Sequence, residues 1–240
     1  MHYGIIAAGE GSRLVQEGVA LPKPLVELQG TPMIERLIRI FIDNDAETVA
    51  VIVNEQMTQV REFLERLAPQ LPVPLRLKVK STPSSMHSFH ELSALMPAEG
   101  KFVLTTVDTI FRPAEFAGYA RAFAQAPAGI DGLMPMTAFI DDEKPLYIDV
   151  DGQNMITAFL DRPGDGTRFV SGGIYGLTPA AFRVLDDCMA RGVSRMRNFQ
   201  REMLGAGLRL KGYEFEKIVD VDHAEDIATA EAFLSAGAND

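Results

Sequence analysis

The first half of the chain alternates apolar, strand-length runs with amphipathic segments, and this alternation limits the possible folds more than any other feature. The strand-length runs are "YGIIAA", "TVAVIVN", "LRLKVK" and "KFVLTTV". Segments with helical periodicity separate them. In the first of these, "TPMIERLIRIFIDN", we expect Thr31 as the N-cap and Pro32 as the first helical residue. Repeated strand–helix–strand units predict a three-layer α/β/α sandwich around a mostly parallel, Rossmann-like sheet.

The second half is richer in strands. Short apolar runs bounded by Gly, Asp and Pro predict strands in "GIDGLMPMTAF", "PLYIDV", "GQNMITAFL" and "RFVSGGIYGL". Helices are predicted in "TPAAFRVLDDCMARG", "RMRNFQREMLGAG" and "HAEDIATAEAFLSAG", with a strand in "RLKGYEFE". Neither a low-complexity linker nor an internal repeat divides the chain. We therefore expect a single domain, residues 1–240, in which the strand-rich stretch packs over the same sheet.

Charge and composition exclude several classes of function. A formal net charge of −10 argues against a nucleic-acid-binding protein, which needs a basic face to neutralise phosphates. The single cysteine, Cys188, excludes an internal disulfide and a cysteine metal cluster, and its helical surroundings indicate a buried thiol. No apolar run approaches the ~20 residues that span a bilayer, and the chain starts with a strand rather than a signal segment. We expect a soluble cytoplasmic protein without membrane contacts, and the sequence leaves open whether it forms an oligomer.

A loop with two glycines follows the first strand in "GIIAAGEGSRL". Gly9 and Gly11 match the first two glycines of the dinucleotide-binding motif G-x-G-x-x-G, but Leu14 occupies the sixth position. No lysine follows the glycines directly, which excludes a phosphate loop of the G-x-x-x-x-G-K-[ST] type. By themselves, the glycines are consistent with an ordinary strand-to-helix turn. The loop also carries a cation, Arg13, at the carboxyl end of a strand, where ligands bind in such sheets.

A second cation, Lys23, lies in "LPKPLVEL" between two prolines that stiffen its backbone. Together the two segments read G-x-G-[ST]-R-[LM] followed by P-K-P-L. This pair of motifs resembles the signature of the nucleotidyltransferases that make activated sugars, activated choline phosphate and related diphosphates. The resemblance implies the fold of a nucleotide-diphospho-sugar transferase. It also implies a nucleotide-binding half, residues 1–128, and an acceptor-binding half, residues 129–240.

The resemblance further implies that the glycine loop binds a nucleoside triphosphate. The loop residues expected to contact it are Ala8, Gly9, Gly11, Ser12 and Arg13. Glycines allow backbone N–H groups to turn toward phosphate oxygens. The planar guanidinium of Arg13 suits the β- and γ-phosphates that leave as pyrophosphate, and Lys23 supplies a compact charge near the α-phosphate and the acceptor phosphate. We expect these two cations to be catalytic; the alternative for Lys23 is a solvated surface lysine.

Two aspartates are candidates for binding Mg²⁺. Asp108 follows a buried strand in "VLTTVDTIF", and Mg²⁺ prefers such hard oxygen ligands. By resemblance, Asp220 in "EKIVDVDHAED" is the second ligand. The alternative roles are helix capping, by Asp108 for the next helix and by Asp222 for the last one. The chain departs from the family's usual pattern beside both aspartates, with Val107 in place of glycine and His223-Ala224 in place of Thr-Pro.

The remaining motifs concern the acceptor and the nucleobase. Gly172 and Gly173 in "VSGGIYGL" resemble a Gly-Gly-Ile-Tyr strand that lines the acceptor pocket, although a glycine bulge explains them equally well. Arg162 stands where sugar-using relatives carry Glu-Lys-Pro, which implies contact with the acceptor phosphate. Ser84 and Ser85 in "STPSSMHSFHEL" resemble a base- and ribose-binding stretch of the choline-phosphate cytidylyltransferase branch; the alternative is helix capping.

These motifs together predict a Mg²⁺-dependent enzyme that moves a nucleoside monophosphate from an NTP to a phosphorylated small molecule and releases pyrophosphate. The acceptor would be a sugar 1-phosphate or a phosphorylated alcohol such as phosphocholine. No general base is needed, because the attacking phosphate oxygen is already ionised near neutral pH. Two alternatives remain: guanylyl or cytidylyl transfer to molybdopterin, and a catalytically silent relative that binds nucleotide and regulates a partner.

Overall fold

The computed structural model describes residues 1–140 and 143–236. Strands and helices alternate in the first half, as the sequence predicts. The strands of this half are β1 (His2–Ala7), β2 (Glu27–Leu28), β3 (Thr31–Pro32), β4 (Thr48–Val53), β5 (Leu75–Val79), β6 (Phe102–Thr106) and β7 (Thr109–Ile110). The helices are α1 (Ser12–Gln16), α2 (Met33–Asp43), α3 (Thr58–Leu67), α4 (Ser85–Ser93) and α5 (Pro113–Gln125). Single 3₁₀ turns cover Lys23–Leu25 and Ala68–Gln70.

The second half contains mostly short strands, followed by helices that close the fold. The strands are β8 (Gly132–Thr137), β9 (Tyr147–Val150), β10 (Ile156–Leu160), β11 (Phe169–Ser171), β12 (Ile174–Leu177), β13 (Leu210–Glu214) and β14 (Val219–Asp220). The helices are α6 (Ala180–Ala190), α7 (Met196–Gly205) and α8 (Ala224–Ala236). The last residue of the segment predicted to form the final helix, Gly237, lies outside the described residues.

Ten of the described strands form one sheet in the order β10-β9-β11-β8-β12-β6-β1-β4-β5, with β13 also paired to β8. The strands β5, β4, β1 and β6 are parallel, and in their register Ile5 lies opposite Val51 and Thr105. Because β1 and β6 are parallel neighbours, the segments that follow them leave from the same edge of the sheet. This arrangement brings the glycine loop and Asp108 to one edge.

Helices cover both faces of the sheet, which confirms the predicted three-layer α/β sandwich. The core on one face contains Ile34 and Phe41 of α2, Leu64 of α3 and Phe116 of α5. The core on the other face is formed by residues of α4, α6 and α7, with Phe89 near its centre. A third, smaller core joins α1 to β14 and α8 beside the carboxyl edge. The division of the chain into a nucleotide-binding and an acceptor-binding half stays a prediction.

The structure corrects three details. The second-half strands extend the first-half sheet edge to edge instead of packing over it, because β12 pairs directly with β6. The predicted strand "RFVSGGIYGL" is two strands that separate at Gly172-Gly173, with β11 paired to β9 and β8 and β12 paired to β6 and β8. The helix α2 begins at Met33, since Thr31 and Pro32 pair with β2, so Thr31 is not its N-cap.

Two further observations bear on the sequence predictions. Cys188 is fully buried on α6, which confirms the prediction of a structural thiol. Across residues 1–140 and 143–236, no helix has the length and apolar character needed to cross a bilayer.

Gly173 lies where a side chain would collide with β7. A Cβ at this position would lie 2.0 Å from Thr109 Oγ1 and 2.3 Å from Thr106 Oγ1. We therefore expect Gly173→Ala to lower the free energy of unfolding by about 1–3 kcal/mol, measured by urea denaturation. Gly205→Ala is the control, because a Cβ there meets nothing within 4 Å. Equal stability of Gly173→Ala and the unmodified chain would contradict this steric account.

Candidate active site

Loops at the carboxyl edge of the parallel strands converge on the side chain of Lys23. This residue begins a 3₁₀ turn between Pro22 and Pro24 and is only 8% exposed, so the alternative of a solvated surface lysine is wrong. Its ammonium donates hydrogen bonds to Asp108 Oδ2 at 2.5 Å and to Asp222 Oδ1 at 2.6 Å. One buried cation therefore joins two carboxylates from distant parts of the chain.

The glycine loop packs directly against Lys23. Gly11 has a φ of 62°, in the left-handed region, and a Cβ there would lie 2.9 Å from Lys23 Cβ. Both the backbone conformation and the close approach favour glycine at this position. The helix α1 starts immediately after Gly11, and Arg13 from its first turn reaches Asp222 Oδ2 at 3.2 Å. The structure thus brings Gly11, Arg13, Lys23 and Asp108 together, as the motifs predicted.

Lys23 and Asp108 each stabilise the charged form of the other. Burial disfavours the charged ammonium, but Asp108 and Asp222 more than offset this cost and raise the pKa of Lys23. Burial also disfavours the Asp108 carboxylate, yet the adjacent ammonium more than compensates and lowers the pKa of Asp108. Both groups are therefore ionised at neutral pH, and removing either one would leave an uncompensated charge in the site.

Asp220 lies beside this pair, where burial and the neighbouring negative charge disfavour its ionised form. It accepts a hydrogen bond from Thr109 Oγ1 at 3.0 Å, and the Thr109 and Thr106 hydroxyl oxygens are 2.7 Å apart. Desolvation by the surrounding protein, together with the charge of Asp108, raises the pKa of Asp220 to about 7. The carboxyl nevertheless faces an open cleft, so a dissolved ion can reach it.

Sequence reasoning missed the role of Asp222, which was considered only as a helix cap. In the structure, Asp226 Oδ2 accepts the backbone N–H groups of Asp222 at 2.9 Å and His223 at 2.6 Å. The carboxylate of Asp222 is thereby left for Lys23 and Arg13. Its spacing of two residues from Asp220 is the signal in the sequence, because alternate residues of an extended segment point to the same side.

A cavity of about 610 Å³ lies between the glycine loop and the start of α4, and we call it the loop cavity. It is lined by the loop residues expected to bind nucleotide and by both serines, namely Ala8, Gly9, Gly11, Ser12, Arg13, Ser84 and Ser85. Lys23, Asp108 and Asp222 line it as well. Ser84 precedes α4 but its side chain does not cap the helix; instead its Oγ pairs with His87 Nδ1 at 2.8 Å. Sequence reasoning missed Asn54 and Gln56, which also line this cavity.

A second cavity, of about 490 Å³, shares a wall with the loop cavity, and we call it the arginine cavity. The shared wall consists of Ser85, Thr106, Asp108 and Asp222. Gly172 and Gly173, which were predicted to bind the acceptor, line the arginine cavity together with Asp220 and the cations Lys144, Arg195 and Arg197. The carboxylates of Asp108 and Asp222 therefore lie where the two cavities meet, and Asp220 lines the arginine cavity beside them; we call these three residues the carboxylate cluster.

Two buried polar side chains open onto the arginine cavity. Gln200 is 2% exposed, and its Oε1 accepts a hydrogen bond from Ser171 Oγ at 3.1 Å. Tyr175 is 5% exposed, and burial raises the pKa of its hydroxyl, which stays protonated. Among the described residues, neither Gln200 Nε2 nor the Tyr175 hydroxyl has a hydrogen-bond partner. Because both residues line the arginine cavity, these two groups can hydrogen-bond a polar ligand there.

Arg195 lines the arginine cavity, and its backbone contacts Ser84 in the wall of the loop cavity. It precedes α7 with a φ of 72°, a conformation that is strained for any residue other than glycine. Its backbone N–H donates to Ser84 Oγ at 3.2 Å, which links the start of α7 to the wall of the loop cavity. Its guanidinium is exposed and has no hydrogen bond or ion pair within the described part of the chain. The sequence offered no signal for this residue, because the contact joins segments 111 residues apart.

Arg162, expected at the acceptor phosphate, does not line the arginine cavity. It lies exposed in a neighbouring cavity of about 430 Å³, with Asp161 and Tyr147. Asp161 instead holds Arg197 at 3.0 Å and Arg201 at 2.7 Å, and Arg197 lines both cavities. The turn after β10 therefore presents Arg197, rather than Arg162, to the side where Gly172 and Gly173 lie.

Comparison with known proteins identifies a matching family and similar proteins. A family model described as the MobA-like NTP transferase domain matches residues 4–165. The chain is similar to the bifunctional protein GlmU of Methanococcus maripaludis, with 24% identity over 237 residues, which cover 94% of this chain and 52% of GlmU. It is also similar to the bifunctional IPC transferase and DIPP synthase of Thermococcus kodakarensis, with 28% identity over 147 residues, 61% of this chain and 29% of that protein. The chain spans about half the length, or less, of these curated relatives.

Among solved structures, the inositol-1-phosphate CTP transferase from T. maritima superimposes with a TM-score of 0.80 at 17% identity. The superposition covers 98% of this chain and 96% of that one. The two proteins therefore share a fold over nearly their whole lengths.

The raised pKa of Asp220 implies that this carboxylate destabilises the ligand-free protein. In the unfolded chain its pKa is near the ordinary value, so stability falls as pH rises from about 4 to about 7, and the full penalty remains above that. We expect Asp220→Asn to raise the stability at pH 8 by about 1 kcal/mol, allowing for screening in the open cleft, or roughly 2–4 °C in Tm.

The measurement is thermal unfolding with EDTA at pH 4 and pH 8, and the gain should be much smaller at pH 4. Asp165→Asn, which changes an exposed loop carboxylate, is the control and should change Tm little at either pH. A loss of stability in Asp220→Asn at pH 8 would rule out the proposed repulsion.

Proposed function

The chain belongs to the family of MobA-like NTP transferase domains and is a nucleotidyltransferase, and from this membership we propose a specific reaction. The enzyme transfers a nucleoside monophosphate from an NTP to a phosphorylated polyol, such as a sugar or cyclitol phosphate, and releases pyrophosphate in a Mg²⁺-dependent reaction. The observation that carries this proposal is the meeting of two polar cavities at one wall formed by Asp108, Asp222, Thr106 and Ser85. A group-transfer enzyme needs this arrangement, because donor and acceptor must meet at a charged centre.

The loop cavity is the proposed NTP site. Its volume of about 610 Å³ lies in the range of small-molecule sites. The backbone of Gly9 and Gly11 would accommodate the triphosphate, with Arg13 beside the β- and γ-phosphates. Lys23 is fixed at the shared wall by Asp108, where its ammonium can neutralise charge on the α-phosphate and on the incoming acceptor phosphate. Ser84 and Ser85 would line the base and ribose end.

Asp108 and Asp220 are the proposed ligands of a divalent cation; within residues 1–140 and 143–236, no group of three or more acidic, histidine or cysteine side chains is arranged to hold a metal by itself. Both carboxylates supply hard oxygen donors, and burial of Asp220, together with the nearby charge of Asp108, raises the pKa of Asp220. We therefore propose that Asp108 and Asp220 would hold Mg²⁺ together with the phosphates of the substrate. When bound, Mg²⁺ supplies charge neutralisation and orientation for the phosphates. A catalytically silent relative would have little use for Asp108 and Asp220 beside each other in the cleft, because their repulsion disfavours the ligand-free state.

The arginine cavity is the proposed acceptor site. The backbone N–H of Arg195 bonds to Ser84, the neighbour of Ser85 in the shared wall, so Arg195 lies close to that wall. We propose that its guanidinium binds the acceptor phosphate. Tyr175, Gln200 and Arg197 then face the remainder of the acceptor, and their neutral and cationic donors suit hydroxyl groups. A trimethylammonium group would meet guanidinium groups there, so phosphocholine is a poor fit. The inositol-1-phosphate substrate named for the T. maritima structure supports a cyclitol or sugar phosphate.

The reaction is tested by measuring pyrophosphate release with Mg²⁺ and every pairing of ATP, CTP, GTP, UTP or dTTP with a panel of acceptors. The panel contains hexose 1-phosphates, inositol 1-phosphate, phosphocholine and molybdopterin. We expect release with at least one sugar or cyclitol phosphate and none with phosphocholine. Nucleotide binding without release from any pairing would instead support the silent regulatory relative, and release with molybdopterin alone would support the other alternative.

Lys23→Ala removes the ammonium at the junction of the cavities. We expect kcat to fall by a factor of about 10²–10³, because this charge acts where negative charge develops on the transferred phosphate. The measurement is steady-state pyrophosphate release at saturating NTP and acceptor, with circular dichroism to verify folding. Lys211→Ala, on the exposed side of β13, is the control and should keep full activity. An unchanged kcat in Lys23→Ala would remove the residue from the mechanism.

Gln200→Ala removes an amide that faces the arginine cavity. We expect KM for the acceptor to rise about tenfold, because one hydrogen bond of about 1.4 kcal/mol is lost, while KM for the NTP stays unchanged. Steady-state kinetics with each substrate varied in turn provide the measurement. Gln153→Ala, in an exposed turn between β9 and β10, is the control. A rise in the NTP KM instead would assign Gln200 to the donor side.

A further inference from the structure

Both ends of the short helix α1 are tied to the turn between β14 and α8. At the start of the helix, Arg13 Nη1 lies 3.2 Å from Asp222 Oδ2. At its end, Glu17 Oε1 accepts a hydrogen bond from His223 Nδ1 at 2.6 Å, and Glu17 Oε2 accepts the backbone N–H of Ala224 at 2.6 Å. Glu17 and Ala224 are 207 residues apart, so tertiary folding alone creates this contact.

Packing between these two ties holds the helix in place. Leu14 is fully buried in the small core that also contains Val219, Val221 and Phe233. One face of α1 is therefore anchored to β14 and α8, with an ion pair on one side of the anchor and the Glu17 contacts on the other. The three contacts together restrict both translation and rotation of the helix.

Glu17 contacts His223 and Ala224, the two residues that stand in place of the family's usual Thr-Pro. Ala224 can donate its backbone N–H, whereas a proline at this position would have none. Asp226 accepts the N–H groups of Asp222 and His223, and Glu17 accepts that of Ala224. Two carboxylates thus satisfy three consecutive backbone donors and define the conformation of the turn that carries Asp222.

We propose that Glu17 is a positioning residue that fixes Arg13 and Asp222 relative to each other, and this inference rests on the proposed function of the site. The Arg13–Asp222 pair is about half exposed on both sides, and exposed ion pairs by themselves contribute little to order. Glu17 lines neither the loop cavity nor the arginine cavity, so it acts through the helix and the turn. Small displacements of groups that position reacting phosphates lower rates strongly.

The first test is independent of activity and measures amide hydrogen exchange of the ligand-free protein. In Glu17→Ala, we expect exchange at the 222–224 turn to accelerate at least tenfold, because the acceptor of the Ala224 N–H is lost. Glu17→Gln retains one acceptor oxygen and should give an intermediate rate. Gln16→Ala changes the neighbouring exposed residue of α1 and should leave the turn unaffected. Unchanged exchange in Glu17→Ala would overturn the proposal.

The second test asks whether this order matters for the reaction. With the substrates found by the pyrophosphate screen, we expect Glu17→Ala to lower kcat about tenfold and to leave the acceptor KM unchanged, with partial recovery in Glu17→Gln. Faster exchange combined with unaltered kinetics would reduce Glu17 to a purely structural role and overturn the proposal. Absence of pyrophosphate release from the unmodified chain would contradict the proposed function, while the exchange measurement would still decide whether Glu17 holds the turn.

Discussion

A single ammonium group between two carboxylates is the interaction on which this site depends. Lys23 is buried, and burial of a charge is tolerated only when opposite charges compensate it. Asp108 and Asp222 provide that compensation from the ends of two different strand segments. Burial, together with the nearby charge of Asp108, raises the pKa of a third carboxylate, Asp220, to about 7. A bound cation would favour the ionised form of Asp220.

Asp108 and Asp222, which bind Lys23, form part of the wall that the loop cavity and the arginine cavity share. The charged groups therefore lie between the two cavities proposed to bind the substrates. The left-handed Gly11 allows the glycine loop to approach Lys23, and the Gly172-Gly173 break turns the chain between β11 and β12 on the opposite side. Close approach favours glycine at both positions, and the left-handed backbone conformation is a second reason at Gly11. In the proposed function, the site would supply position and charge rather than a proton acceptor, since a phosphate acceptor is already ionised near neutral pH.

Much of this arrangement could be predicted from the sequence. The alternation of strands and helices predicted the layered fold, and the paired motifs around Gly9, Arg13 and Lys23 predicted the family. Other features could not be predicted. Arg162 lies outside the arginine cavity, and Arg195 and Gln200 line it because α7 packs against β10, α4 and α6. Their placement depends on how separate elements pack, and no local pattern in the sequence encodes that packing.

The sequence by itself determined the elements and the chemical groups. Side-chain periodicity and glycine and proline positions act within a few residues, so they define strands, helices and the loop that carries Gly11. Only the tertiary structure decided which charges meet. Lys23 and Asp222 are 199 residues apart, and Glu17 and His223 are 206 residues apart. These contacts require the order and register of a sheet built from the whole chain, because hydrogen bonding and core packing between distant strands bring the side chains within reach.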